Sequence, residues 1–76
     1  MIMSGKRNAT IISVNGVNMH GTVLIDVVYQ VDGETKTRSA RLGPEAVTGT
    51  PQAGARISVT FVMDVATALR VESATT

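Results

Sequence analysis

The sequence predicts an all-β domain, a small five-stranded barrel with one short helical turn. Three observations lead to this prediction. Residues 21–31 are dense in β-branched and aromatic side chains, which suit a pleated, half-buried strand. Asp32-Gly33 separates this run from a second one at residues 35–42, and Asp-Gly between two such runs is a hairpin signal. Residues 55–63 alternate between apolar and polar, as a strand with one buried face does.

The chain has 76 residues, which is enough for one domain only. Residues 1–7 show no periodicity and are expected to form a flexible arm. We expect residues 8–72 to form the barrel and residues 73–76 to be a frayed tail.

The first two strands are expected to be separated by a tight turn. Residues 9–14 favour a strand, and the next pair, Asn15-Gly16, is typical of two-residue hairpin turns. Residues 17–20 then either extend the second strand backwards through a bend at Gly21 or form an irregular loop. We favour the bent strand, because small barrels need such bends to close.

After the third strand the β pattern is interrupted. Pro44 suits the first position of a helix and Glu45 suits its first turn, while Gly49 can end it, so residues 43–49 predict a single helical turn. The fourth strand, at residues 55–63, is followed by a turn at residues 64–67 and a short last strand at residues 68–72.

A two-residue turn at Asp32-Gly33 fixes the predicted pairing of the second and third strands, with Val27 opposite Arg38. Residues directly opposite share a face of the sheet, so the wholly apolar row of alternate residues from 23 to 31 is joined by Ala40 and Leu42. Alternate residues of the last two strands join it. The predicted core is Val23, Ile25, Val27, Tyr29, Val31, Ala40, Leu42, Ile57, Val59, Phe61, Met63, Leu69 and Val71.

The element order is three strands, a helical turn and two strands. In this order the chain resembles the OB-fold, a five-stranded Greek-key barrel, over roughly residues 9–72; an SH3-like barrel is the alternative. The resemblance is one of element order and not of a family motif. It implies a ligand face on the second and third strands, where the family often binds single-stranded nucleic acid or oligosaccharide.

Composition restricts how so small a domain is stabilised. The chain has no cysteine and a single histidine, which excludes disulfides and a His/Cys zinc site, and we expect neither a metal nor another cofactor. Small domains are marginally stable alone, so a partner subunit is the expected supplement. No apolar run approaches the roughly 20 residues of a membrane helix, and no export signal is evident. We therefore expect a soluble cytoplasmic protein.

The second strand is apolar on both faces. Leu24 and Val28 point away from the core on either side of Asp26, and Val62 on the fourth strand is expected to extend this apolar row. A strand covered on one side should alternate more cleanly, and exposed apolar patches mark interaction sites. These residues predict self-association as a homodimer or a larger assembly, and contacts with other proteins are also possible for such a module.

The third strand is basic, and Lys36, Arg38 and Arg41 form the candidate anion or nucleic-acid contact. Single-strand binders interleave such cations with stacking aromatics, and this chain has one Tyr and one Phe. We therefore rank a non-catalytic module that acts through protein contacts first and a nucleic-acid-binding barrel second. Neither Asp26 nor His20 has a partner at a catalytic spacing, so we expect no enzyme. The sequence predicts a kind of module and names no ligand or process.

Overall fold

The computed structural model describes residues 5–72 and is all-β, which confirms the predicted fold class. The strands are β1 Gly5–Met19, β2 Thr22–Val31, β3 Arg38–Leu42, β4 Val47–Thr48, β5 Arg56–Val62 and β6 Val65–Val71. They form one sheet in the order β3-β2-β1-β5-β6-β4, curled into a half-barrel. Neighbours are antiparallel except for β4, which runs parallel to β6. The additional strand is β4, which is too short to show a periodicity in the sequence.

Strand β1 is the centre of the sheet. Residues 5–10 pair with β5, and from Ala9 onwards β1 also pairs with β2. The register against β2 shifts between Ile11 and Ser13, which leaves Ile12 as the extra residue of a β-bulge. A bulge bends and twists its strand, and this one helps the sheet to curl.

The predicted flexible arm is in part a strand. Lys6 lies opposite Thr60 and Arg7 lies opposite Val59, so both belong to β1 and pair with β5. Residues 1–4, the rest of that arm, and residues 73–76, the predicted tail, lie outside the described residues.

The turn between β1 and β2 is at His20-Gly21, and the prediction of a turn at Asn15-Gly16 is wrong. The two turn residues have φ of 56° and 85°, as a type I′ hairpin requires. Histidine is one of the residues enriched in this region, and glycine enters it without steric cost. Asn15 and Gly16 continue β1. Residues 17–20 therefore extend the first strand and its turn, not the second strand.

The β2–β3 hairpin has a longer connection than predicted and a different register. Val27 lies opposite Ala40 rather than Arg38. The connection runs over residues 32–37 and not over Asp32-Gly33 alone. The register differs from the prediction by two residues, and an even shift leaves each side chain on its predicted face of the sheet.

The β5–β6 hairpin turns at Met63-Asp64, whose φ values are 52° and 66°. Met63 was predicted to point inwards, but it is 75% exposed because it is a turn residue. Strand β6 begins at Val65 rather than at residue 68. A second register shift, between Thr60 and Phe61 on β5, marks another irregularity that bends the sheet.

The predicted helical turn is present as a single 3₁₀ turn, Pro44–Ala46. The Ala46 N–H donates to the Gly43 carbonyl at 3.0 Å, and Pro44 stands at the start, where a missing N–H costs nothing. Strand β4 follows directly and aligns with the end of β6. This segment therefore returns the chain to the far edge of the sheet.

The core is one apolar cluster on the inner face of the half-barrel. Its buried members are Ala9, Ile11, Val27, Tyr29, Val31, Leu42, Ile57, Val59, Phe61 and Leu69, and Ile25, Ala40 and Val71 pack against them as partly buried residues. Besides Met63, one predicted core residue is wrong: Val23 is 49% exposed. It lies opposite Asn18 near the β1–β2 turn, beyond the part of β2 that β3 covers.

Candidate self-association surface

The outer face of the β1–β2 hairpin carries a row of apolar side chains. Leu24 and Val28 are both half-buried on β2, and Val17 on β1, also half-buried, lies directly opposite Leu24. Residues directly opposite on one face have Cβ atoms about 4.5–5.5 Å apart, so Val17 and Leu24 are in reach of each other. We name Val17, Leu24 and Val28 the outer stripe.

The one charge within the outer stripe is paired. Asp26 lies between Leu24 and Val28, and Arg41 lies opposite it on β3. The Arg41 guanidinium donates from Nε to Asp26 Oδ1 at 2.7 Å and from Nη2 to Oδ2 at 3.0 Å. These hydrogen bonds lower the pKa of Asp26 below its ordinary value. The two ions cancel, so the stripe is crossed by a neutral pair and not by an isolated charge.

Arg41 also reaches across the hairpin. Its Nη1 lies 3.6 Å from the Met19 sulfur, near the β1–β2 turn. Met19 is 41% exposed and lies on the outer face two residues beyond Val17. Met19 and Val17 were missing from the sequence-based surface because the turn was predicted at Asn15-Gly16. The relevant signal was His20-Gly21, a second pair that can adopt two positive φ values.

Val62 does not extend the outer stripe. It belongs to the β5–β6 hairpin, where it pairs with Val65. Its neighbour Phe61 lies opposite Gly5, at the start of β1, whereas Leu24 lies opposite Val17 near the end of β1. This separation along β1 is a path of roughly 40 Å at about 3.3 Å per residue. Val62 instead forms a separate exposed group at the hairpin tip with Met63 and Val65.

The structure also separates the three basic residues of the predicted anion site. Arg38 lies opposite the buried Tyr29 and therefore belongs to the inner face, while Arg41 belongs to the outer face. Lys36 lies in the exposed connection before β3. Side chains on opposite faces of one strand cannot contact the same phosphate backbone, so these three residues form no continuous basic groove.

Arg38 closes the rim of the core. It donates to both carboxylate oxygens of Glu34, at 2.9 Å each, and lies 3.4 Å from Asp64 Oδ1. Its guanidinium carbon is 5.3 Å from the centre of the Phe61 ring, within the range of a cation–π contact. Glu34 and Asp64 raise the pKa of Arg38, and Arg38 in turn lowers the pKa of Glu34. The Arg38 guanidinium thus stabilises the fold, and most of its hydrogen-bond donors are occupied by Glu34 and Asp64.

An open groove of about 410 Å³ follows the seam where β3 approaches the β5–β6 hairpin, and its walls include Tyr29, Ser39, Phe61, Asp64 and Ala66. Burial raises the pKa of the Tyr29 phenol, which therefore stays protonated. Among the described residues that line this groove, no nucleophile is paired with a base. Within residues 5–72, no three His, Cys, Asp or Glu side chains are grouped as a metal site requires. His20 is exposed in its turn.

Comparison with protein-family models, with curated proteins and with solved structures gave no match to this chain. Across residues 5–72, no helix has the length and apolar character needed to cross a membrane.

Proposed function

We propose that this protein is a non-catalytic β-barrel module that acts through protein–protein contacts, and first through contacts with copies of itself. The outer stripe is the observation that carries this proposal. Leu24 and Val28 lie on the solvent side of the sheet, and the carboxylate between them is neutralised by Arg41. A strand with one solvated face ordinarily carries polar residues at such positions.

The size of the domain supports the same proposal. Its core consists of ten side chains that are fully or nearly buried in the described part of the chain, and the chain has no disulfide to add to it. A domain of this length is marginally stable by itself. Covering the outer stripe with a second copy removes apolar surface from water at about 25 cal/mol per Å². A two-fold dimer is the commonest arrangement, because one surface then serves both chains.

The test is a solution mass from light scattering coupled to size exclusion. At micromolar concentration we expect at least twice the 8.0 kDa mass of the chain. Leu24→Glu with Val28→Glu should lower this mass, to that of one chain if the outer stripe is the only contact. Met63→Glu with Val65→Glu is the matched control, since both positions are exposed at 75% and 61% on a different hairpin. The control should keep the parent mass.

A parent protein that remains a monomer at high micromolar concentration would refute self-association. Retention of the parent mass by the Leu24/Val28 double variant would refute the outer stripe as the contact. Far-ultraviolet circular dichroism on each variant distinguishes loss of assembly from loss of the fold.

The alternative, an OB-like barrel that binds nucleic acid, has less support. The chain order of three strands, a helical turn, the two-residue β4 and a further strand pair in a half-barrel sheet favours an OB-like classification. However, Arg38 and Arg41 lie on opposite faces and are both paired with carboxylates. A titration with single-stranded DNA or RNA distinguishes the two functions. Phosphate binding weakens steeply with salt, whereas an apolar protein contact does not.

A further inference from the structure

The second half of β1 is an open edge of the sheet. Ile11 marks the last contact with the β5 side, where its N–H donates to the Ala55 carbonyl at 2.9 Å and its carbonyl accepts from Gly54 at 2.8 Å. Residues 13–19 pair with β2 on one side, and in the described part of the chain no strand pairs with the other side of residues 12–19. This free side is about 26 Å long at about 3.3 Å per residue.

The backbone groups on this free side can be identified from the turn. Met19 and Thr22 flank a two-residue turn and close the hairpin, so they form a hydrogen-bonded pair. Hydrogen-bonded and non-hydrogen-bonded pairs alternate along an antiparallel ladder. Asn18, Gly16 and Val14 therefore direct their N–H and C=O groups away from β2. These groups are placed to pair with another strand.

Beyond the bulge at Ile12, this edge carries none of the residues that usually protect against such pairing. Proteins shield edge strands with charged residues, with Pro or by making them very short. Residues 12–19 contain no charged residue and no Pro. By contrast, β3 carries Arg38 and Arg41, and β4 is only two residues long. The second half of β1 is thus a long edge without a protecting charge or Pro in the described part of the chain.

We propose that this edge pairs antiparallel with the same edge of a second copy of the chain, around a two-fold axis, so that two sheets become one. The partner is a second copy because antiparallel self-pairing matches each free N–H with a free C=O. It also sets an uncharged segment against an uncharged segment. The proposal rests on the proposed function and deepens it. The joined sheet places the outer stripes of two chains on one face, and packing of two such faces yields a four-chain assembly.

Gly16→Lys tests the edge with little disturbance of the single chain. A Cβ at Gly16 would meet only Val23 Cγ1, at 3.9 Å, which is an ordinary contact. The added charge would lie in the shared sheet beside its symmetry mate. Gly5→Lys is the matched control: it makes the same change on the same strand at a site with no neighbour within 4 Å. We expect Gly16→Lys to halve the assembly mass and Gly5→Lys to leave it unchanged.

Combination with the outer-stripe variant separates the two interfaces. Leu24→Glu with Val28→Glu should leave an edge-paired dimer of twice the 8.0 kDa chain mass. Adding Gly16→Lys should reduce it to one chain. If the double variant is already a monomer and Gly16→Lys keeps the parent mass, edge pairing is refuted while the proposed function stands. If the double variant keeps the parent mass and Gly16→Lys becomes a monomer, the edge stands and the outer stripe fails.

Cysteine cross-linking gives an independent readout, because the chain has no cysteine of its own. In the joined sheet Asn15 and Val17 lie at non-hydrogen-bonded positions, where facing Cα atoms are about 4.5 Å apart, close enough for a disulfide. If the two-fold axis passes through residue 15 or residue 17, that residue faces its own copy, and Asn15→Cys or Val17→Cys should form a covalent dimer. If the axis passes through Gly16, residue 15 faces residue 17, and an equimolar mixture of the two variants should form it. Thr67→Cys, exposed on β6, is the control. The proposal would be overturned if none of the three samples formed more covalent dimer than this control.

Discussion

Replacement of Val59 by Ala should destabilise the domain strongly. Val59 is 1% exposed, in the middle of β5 between strands β1 and β6. The substitution removes two methyl groups from the core, which is about 1.6 kcal/mol at about 0.8 kcal/mol per buried carbon. The cavity left behind raises the loss to about 2–3 kcal/mol. A domain of this length has a total stability of roughly 4–11 kcal/mol, so a large fraction would be lost.

Thermal unfolding followed by circular dichroism measures this loss. For a domain of this size, 1 kcal/mol corresponds to about 4–8 °C in Tm, so Val59→Ala should lower Tm by roughly 10–20 °C. Val65→Ala is the matched control, since it removes the same atoms from the same hairpin at a position that is 61% exposed. It should lower Tm by less than about 5 °C. All proteins are compared at one concentration, because assembly shifts Tm. Equal shifts for the two variants would refute the assignment of the inner face.

Two further predictions follow from the ion pairs and from one turn. Hydrogen bonds from Arg41, Arg56 and Arg38 lower the pKa values of Asp26, Asp32 and Glu34, respectively, in the folded state. The resulting stability is present above the ordinary carboxyl pKa of about 4 and is lost as the pH falls through the lowered values. Tm should therefore fall as the pH is lowered from 5 to 2.5. Asp26→Asn should make this fall smaller, and a variant with the same pH profile as the parent would contradict the pairing of Asp26 with Arg41. Gly49→Ala should lower the free energy of unfolding more than Gly54→Ala. Both glycines have φ near +90°, but only a Cβ at Gly49 comes within 2.9 Å of Val71 Cβ. Urea unfolding measures the difference, and equal losses of stability would contradict this close approach.

The inner face of the fold could be predicted from the sequence because side chains alternate between the two faces, so only an odd shift of the pairing moves them to the wrong face. The β2–β3 pairing differed from the predicted pairing by two residues, yet Val27, Tyr29 and Leu42 are buried as expected. An odd shift would have turned the same residues to solvent. What alternation cannot supply is the length of a connection, here residues 32–37.

The end of β1 could not be predicted from local turn preferences. Asn15-Gly16 is the stronger turn pair in the sequence, but a turn there would remove the long pairing with β2. The observed turn sets Ala9 opposite Val31 and Ile11 opposite Tyr29. Burial of these apolar cross-strand pairs outweighs the turn preference of two residues. The same misplaced turn limited the prediction of the candidate surface. Leu24 and Val28 were predicted on the outer face, whereas Val17 was assigned to the second strand instead of the first.

The bulge at Ile12 has a consequence for how this chain can tolerate changes in length. Before the bulge, the odd-numbered residues Ala9 and Ile11 face the core; after it, the inner face is taken over by even-numbered residues such as Val14. Deletion of Ile12 alone would restore one uninterrupted alternation. Ser13 would then follow Ile11 directly and still lie opposite Val28, so Val14 would stay inside and Val17 outside, and the bend of the strand would be lost. At any other position between residues 13 and 19, a change of one residue would exchange the two faces up to the turn, so length variation there should be accepted in steps of two residues.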